Sequence, residues 1–126
     1  MVRYLFSAVA AAGLLTAVSG AALADGDAEA GKKVFNKCKI CHTLEAGVNK
    51  VGTSLAGVIG RPAGTVEGFK YSEAMAGSGL TWDAATIDQY LADPKGFVPG
   101  NKMAFVGLKK EEERANVIAY LQSGGQ

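Results

Sequence analysis

Cys38-Lys39-Ile40-Cys41-His42 places two thiols and an imidazole at positions i, i+3 and i+4. On a helix those spacings bring the three side chains to one side. C-x-x-C-H is the attachment signature for c-type haem: two thiols can add to the vinyl groups along one porphyrin edge while the imidazole reaches the iron from the same face. The chain holds two Cys and one His in all, so this pentapeptide carries its whole supply of soft ligands. A thioredoxin-like C-x-x-C expects a neighbouring βαβ pattern, and none is visible. A disulfide staple is chemically open to these residues but leaves the Gly-rich stretch after them nothing to pack on. Zinc would have to recruit carboxylates to complete four ligands. One covalent haem c, held by Cys38 and Cys41 with His42 on the iron, is the expected cofactor.

The sixth iron position decides the chemistry, because an open site binds ligands or supports peroxidase reactions and a closed one transfers electrons. With no second His, the partner is a Met. Met1 falls in the N-terminal segment treated below, which leaves Met75 and Met103. Met75 lies in a helical turn, where an isolated Met more often fills core. Met103 lies in Pro99-Gly100-Asn101-Lys102-Met103-Ala104-Phe105, a turn-rich loop able to swing a thioether onto the far haem face. Spacing favours Met103 and leaves Met75 open.

The elements that must position these groups read as all-α. Asp27 to Lys39 has a helical pattern, with Asp27 as N-cap and Val34, Phe35 and Cys38 recurring at three and four. Thr43 to Lys70 carries Gly47, Gly52, Gly57, Gly60, Gly64 and Gly68 without a sustained period and reads as a loop. A structureless stretch of that length needs something other than helix or sheet to organise it, and a large cofactor would serve. A helical turn around Tyr71 to Ala76 follows, then a helix from Trp82 to Ala92 capped by Thr81 and stopped by Asp93-Pro94. After a second loop, Phe97 to Leu108, the last helix starts near Lys110. Glu111, Glu112 and Glu113 lie in its first turn, Val117, Ile118 and Leu121 form its stripe, and Gly124-Gly125 ends it. No internal repeat or β-hairpin pattern is visible.

The chain's 126 residues leave room for one domain, and 48% hydrophobic with 20% charged residues excludes intrinsic disorder and an all-membrane protein. A formal net charge of +1 argues against nucleic-acid binding. Residues 1–24 read as a cleaved signal peptide: Arg3 is the only side-chain charge, an apolar run follows, and Ala22-Leu23-Ala24 closes it as an A-x-A site. A membrane anchor is the alternative, but the Ala/Gly-rich run is weakly hydrophobic. The expected mature domain is 25–126, exported to the periplasm, with basic and acidic residues in balance once Arg3 is gone.

The pentapeptide is followed in order by Gly57-Val58-Ile59-Gly60-Arg61, Gly68-Phe69-Lys70-Tyr71, Leu80-Thr81-Trp82, Tyr90-Leu91-Ala92-Asp93-Pro94, the Met103 loop and Ile118-Ala119-Tyr120-Leu121. Across Ala30 to Leu121 the chain closely resembles the class I c-type cytochromes, most of all the bacterial cytochrome c2 group and its mitochondrial kin. The resemblance implies a small cytochrome c fold, with N- and C-terminal helices crossing through Gly31 and Phe35 against Tyr120 and Leu121. It implies thioethers at Cys38 and Cys41, His42 as proximal and Met103 as distal ligand, and the Tyr90 hydroxyl near the Met103 sulfur. It assigns Tyr71, Trp82 and Arg61 to the haem propionates; on the residues alone these aromatics read as packing. The chain departs from the family's usual pattern at Thr53, where a Pro lends its carbonyl to the proximal His. It departs again at Met75, where mitochondrial members commonly carry Asn.

Filled axial positions leave no place for a substrate, and an axial Met raises the potential. The expected protein is therefore a soluble one-electron carrier, not an enzyme. An open-haem enzyme such as a small peroxidase and a thiol-disulfide oxidoreductase are the competing classes. By resemblance the donor is a cytochrome bc complex and the acceptor a terminal oxidase or photosynthetic reaction centre. The expected protein is a monomer with peripheral membrane encounters only and no nucleic-acid partner. Lys37, Lys39, Lys95 and Lys102 flank the haem attachment and distal-ligand segments, and by resemblance Lys50, Lys109 and Lys110 lie near the same exposed edge.

Overall fold

Asp27 starts the first helix by accepting from the Glu29 N–H at 2.9 Å, which satisfies one of the donors a helix N-terminus leaves open. The computed structural model describes Gly13 and residues 26–125. Residues 1–24, read from the sequence as a signal peptide, lie outside those residues apart from Gly13. Helix α1 spans Ala28–Phe35, shorter than its sequence pattern predicts. Beyond Phe35 the bonds become mixed, i+3 from Asn36 to Lys33 and from Cys38 to Phe35 but i+4 from Lys39 to Phe35. Asn36, Lys37 and Lys39 are exposed there, so no packing favours continued α geometry. The haem-binding signature therefore comes off a turn, closed by the His42 N–H on the Cys38 carbonyl at 2.9 Å.

The loop after it is pinned at short intervals. Thr43 bridges Ser54, Gly52 N–H reaches the Cys41 carbonyl at 2.8 Å, and Pro62 bridges Thr81. Among the described residues these isolated bridges are the only β pairing. Helix α2, Glu73–Ala76, is one turn capped by Ser72. Helix α3 spans Ala84–Ala92 and is capped by Asp83, not by Thr81 as the sequence pattern suggests. The reason is a competing commitment: Trp82 donates to the Arg61 carbonyl at 2.9 Å and accepts from Gly60 N–H at 2.8 Å, so its backbone is already paired with the loop. Asp93-Pro94 stops α3 as expected, then restarts the chain in a second short helix. Asp93 caps α4, Pro94–Phe97, with Pro at its first position.

Helix α5, Glu111–Gln122, lies across α1. Gly31 allows it, since a Cβ there would stand 1.9 Å from the Asn116 carbonyl oxygen. Asn116 Oδ1 also accepts the Asp27 N–H at 2.8 Å, and the Phe35 and Tyr120 rings meet at 5.4 Å. Phe35, Leu108, Val117 and Tyr120 form the buried centre, with Leu121, Leu44, Leu55 and Phe105 packed on it. Arg114 of α5 reaches Asp88 of α3 at 2.8 Å and the Leu108 carbonyl at 2.8 Å, tying both helices to the end of the second loop. Among the described residues no helix is long and apolar enough to cross a membrane.

Candidate haem-binding site

His42 stands on the turn that ends the pentapeptide, with its ring against Gly52. A Cβ at position 52 would lie 2.5 Å from the His42 ring, so only glycine lets the loop close this near. The approach brings the Thr53 carbonyl 2.7 Å from His42 Nδ1. A carbonyl can only accept, so Nδ1 carries the hydrogen and the lone pair sits on Nε2, the tautomer and orientation a metal-ligating imidazole needs. Threonine supplies this acceptor as well as proline does, because the bond uses main chain. Burial is the main cause that lowers the His42 pKa below the ordinary histidine value, with the Thr53 bond opposing and Arg61 assisting. The neutral imidazole is favoured.

Cys38 and Cys41 are free and partly buried on the same turn. Burial pushes the Cys38 thiol up to about 11, with Lys37 opposing. This shift runs opposite to the lowered pKa of a reactive C-x-x-C thiol. Among the described residues no three of His, Cys, Asp and Glu converge as a metal-holding group, so the carboxylates zinc would need are not at hand.

Tyr90 of α3 points its hydroxyl at the Met103 sulfur, 3.8 Å away. Burial raises the Tyr90 phenol to about 12, which keeps it protonated and able to donate. Its ring is held between Trp82 at 5.0 Å and Phe97 at 6.4 Å. Met75 is half-buried on α2, where its N–H is bound to the Ser72 cap. Asn101, which the sequence reading gave no role, is buried and accepts the Met103 N–H on Oδ1 at 2.8 Å. Only its place two residues before Met103 could have marked it.

The three side chains assigned to carboxylates by resemblance are gathered from separate loops. Arg61 Nη1 donates to the Ser54 carbonyl at 3.1 Å and the Ala56 carbonyl at 3.3 Å. Burial lowers its pKa and Tyr71 opposes, so the guanidinium and the phenol are neighbours. The Tyr71 oxygen accepts from Val66 N–H at 2.9 Å, which leaves its own O–H to donate. Trp82 is half-buried and joined to Arg61 through the backbone. A nearly continuous run thus leads from His42 through Thr53, Ser54, Arg61, Trp82 and Tyr90 to Met103.

These donors fit c-type haem. Two unbonded thiols share a turn, an imidazole lone pair is set free by its other nitrogen, and a thioether is held by a phenol. Arg61 and the Tyr71 hydroxyl are neighbouring donors of the kind a buried carboxylate needs.

A family model described as Cytochrome c matches residues 28–125. Cytochrome c2 iso-2 of Magnetospirillum fulvum is 63% identical over 89 residues, 71% of this chain and 93% of that protein. Cytochrome c2 of Rhodomicrobium vannielii is 50% identical over 117 residues, 90% of this chain and 91% of the other. Among solved structures, cytochrome cH from Methylobacterium extorquens matches with a TM-score of 0.75 at 48% identity, covering 78% of this chain and 99% of its own. With the helix crossing, the C-x-x-C-H turn and the residues gathered around it, these likenesses place the chain in the cytochrome c family, as a class I c-type cytochrome.

Proposed function

We propose that the protein is a periplasmic one-electron carrier with one haem c, attached through Cys38 and Cys41 and ligated by His42 and Met103. The observation that carries this reading is the pairing of a His42 ring fixed with Nε2 free and a Met103 sulfur facing the Tyr90 hydroxyl. When bound, the haem supplies one-electron exchange at its iron, at a potential raised by axial methionine. The chain's work is to hold both ligands still. Thr53 fixes the imidazole, Tyr90 and Asn101 hold the methionine, and Arg61, Tyr71 and Trp82 meet the propionates. With both axial positions occupied there is no site for a substrate, and the protein is a carrier, not an enzyme.

A cytochrome bc complex is the proposed donor, and a terminal oxidase or photosynthetic reaction centre the acceptor. Residues 1–24 act as a removed leader, leaving a monomer of 25–126 that meets membranes only peripherally. Covalent attachment is the direct test. Denatured protein should keep its colour and carry the added mass of one haem. Haem extracted by acid-acetone, or an apoprotein mass with a disulfide, would sink the reading.

Encounter should depend on salt. Lys39 and Lys102 are exposed beside the attachment turn and the Met103 loop, whereas Lys37 already lies 3.8 Å from Glu113. Electron transfer to an acidic membrane partner should approach about 10⁸ M⁻¹s⁻¹ at low salt and slow as the Debye length shrinks to roughly 10 Å at 0.1 M. Lys39→Glu and Lys102→Glu should slow it further, beside a control at Lys70. Stopped-flow rates that stay flat with salt, or variants that match the control, would remove the basic docking face.

A further inference from the structure

We propose that Asn101 is the positioning residue for the distal ligand, a side-chain clasp that keeps the Met103 segment closed over the site. The inference rests on the reading that Met103 ligates the iron. Asn101 is buried in the second loop, and its amide spends its hydrogen-bonding capacity in three directions. Nδ2 donates to the Pro94 carbonyl at 2.8 Å and to the Val98 carbonyl at 2.9 Å, while Oδ1 accepts the Met103 N–H at 2.8 Å. The orientation is unambiguous. Turning the amide over would set Nδ2 against the Met103 N–H and Oδ1 against two carbonyl oxygens.

The clasp matters because the segment has little other main-chain hydrogen bonding. Its far end is fastened by the Leu108 N–H on the Leu91 carbonyl at 2.7 Å and by Arg114 on the Leu108 carbonyl at 2.8 Å. Between Asn101 and Leu108, among the described residues, the Met103 N–H is the only backbone N–H with a hydrogen-bond partner. Lys102, Ala104 and Val106 are exposed. A segment tied at two ends, with one interior main-chain hydrogen bond, the Tyr90 contact on Met103 and Phe105 packed on the core, can open locally without unfolding the helices. The Asn101 side chain is both a near-end tie, beside its own N–H on the Val98 carbonyl at 3.1 Å, and the interior main-chain hold. Removing its side chain loosens the ligand segment, while the α1/α5 crossing keeps the Asp27–Asn116 and Phe35–Tyr120 contacts, in which Asn101 takes no part.

The test uses ferric holoprotein and imidazole as an external ligand. Imidazole can take the distal position only from the open state, so its apparent affinity rises in proportion to the open fraction. In Asn101→Ala the apparent dissociation constant should fall about tenfold or more. Asn116→Ala, which loses an amide contact at the α1/α5 crossing, should leave it near wild type even where global unfolding shifts as much. Should Asn101→Ala fail to assemble, amide hydrogen exchange on the wild-type holoprotein answers the same question. The Met103 N–H should be protected like that of Leu108, while Lys102 and Ala104 exchange fast. Equal imidazole affinity in Asn101→Ala and wild type, or Met103 exchanging as fast as Ala104, overturns the clasp. A wild-type spectrum without the Met-to-iron band overturns the ligation reading and the clasp with it. The band present with unchanged imidazole affinity in Asn101→Ala overturns the clasp alone.

Discussion

Met103→Ala should abolish the weak Met-to-iron absorption band and lower the reduction potential by on the order of a few hundred millivolts, since axial ligation moves haem potentials over a range of about 0.8 V. The expectation comes from position. Tyr90 offers its O–H to the Met103 sulfur, and Asn101 fixes the Met103 backbone. Met75 belongs to a one-turn helix whose cap engages its main chain. Met75→Leu should therefore keep the band and most of the potential. Spectra and equilibrium redox titrations of the two variants decide between them. Loss of the band in Met75→Leu alone would reverse the assignment.

Gly31→Ala should destabilise the protein by about 3 kcal/mol, near the upper end for overpacked sites, even though alanine gains up to about 1 kcal/mol of helix propensity over glycine. The added Cβ would meet the Asn116 carbonyl oxygen at 1.9 Å and the Tyr120 Cβ at 2.8 Å. Those atoms belong to a helix backbone and its first side-chain carbon, which cannot rotate away. The helices must part, and Phe35 loses its contact with Tyr120. Gly31→Val adds branched carbons at the same place and should leave little folded protein, given a total stability of about 5–15 kcal/mol for a typical domain. Urea unfolding followed by circular dichroism measures both, with Lys32→Ala on the exposed face as control. A midpoint for Gly31→Ala equal to that of the control would mean that the crossing tolerates a side chain.

The grouping of the pentapeptide side chains was legible because it depends on local spacing alone. Cys38, Cys41 and His42 share one turn whether that turn is α-helical or tighter, so the early end of α1 at Phe35 changes the geometry but not the grouping. The Asp93-Pro94 stop and the acidic first turn of α5 were legible for the same reason, as caps and breakers act within a few residues. The start of α3 was not, because Trp82 is drawn out of the helix by Gly60 and Arg61, which lie far from it in sequence.

What the sequence by itself determined is the grouping of two thiols and an imidazole, the all-α class and the order of the elements. Residue resemblance extended this to a family and a set of site residues. Only the tertiary structure decided how those residues are held. Thr53 can stand in the place of proline because the bond to His42 uses a carbonyl that every residue owns. Asn101 becomes a clasp because folding brings the Pro94 and Val98 carbonyls and the Met103 N–H around one amide. Hydrogen bonds between loops depend on where distant backbone groups arrive, and no periodicity records that. The chemistry lies in residue types at fixed spacing, whereas its positioning lies in main-chain atoms that every sequence shares and only a fold can aim.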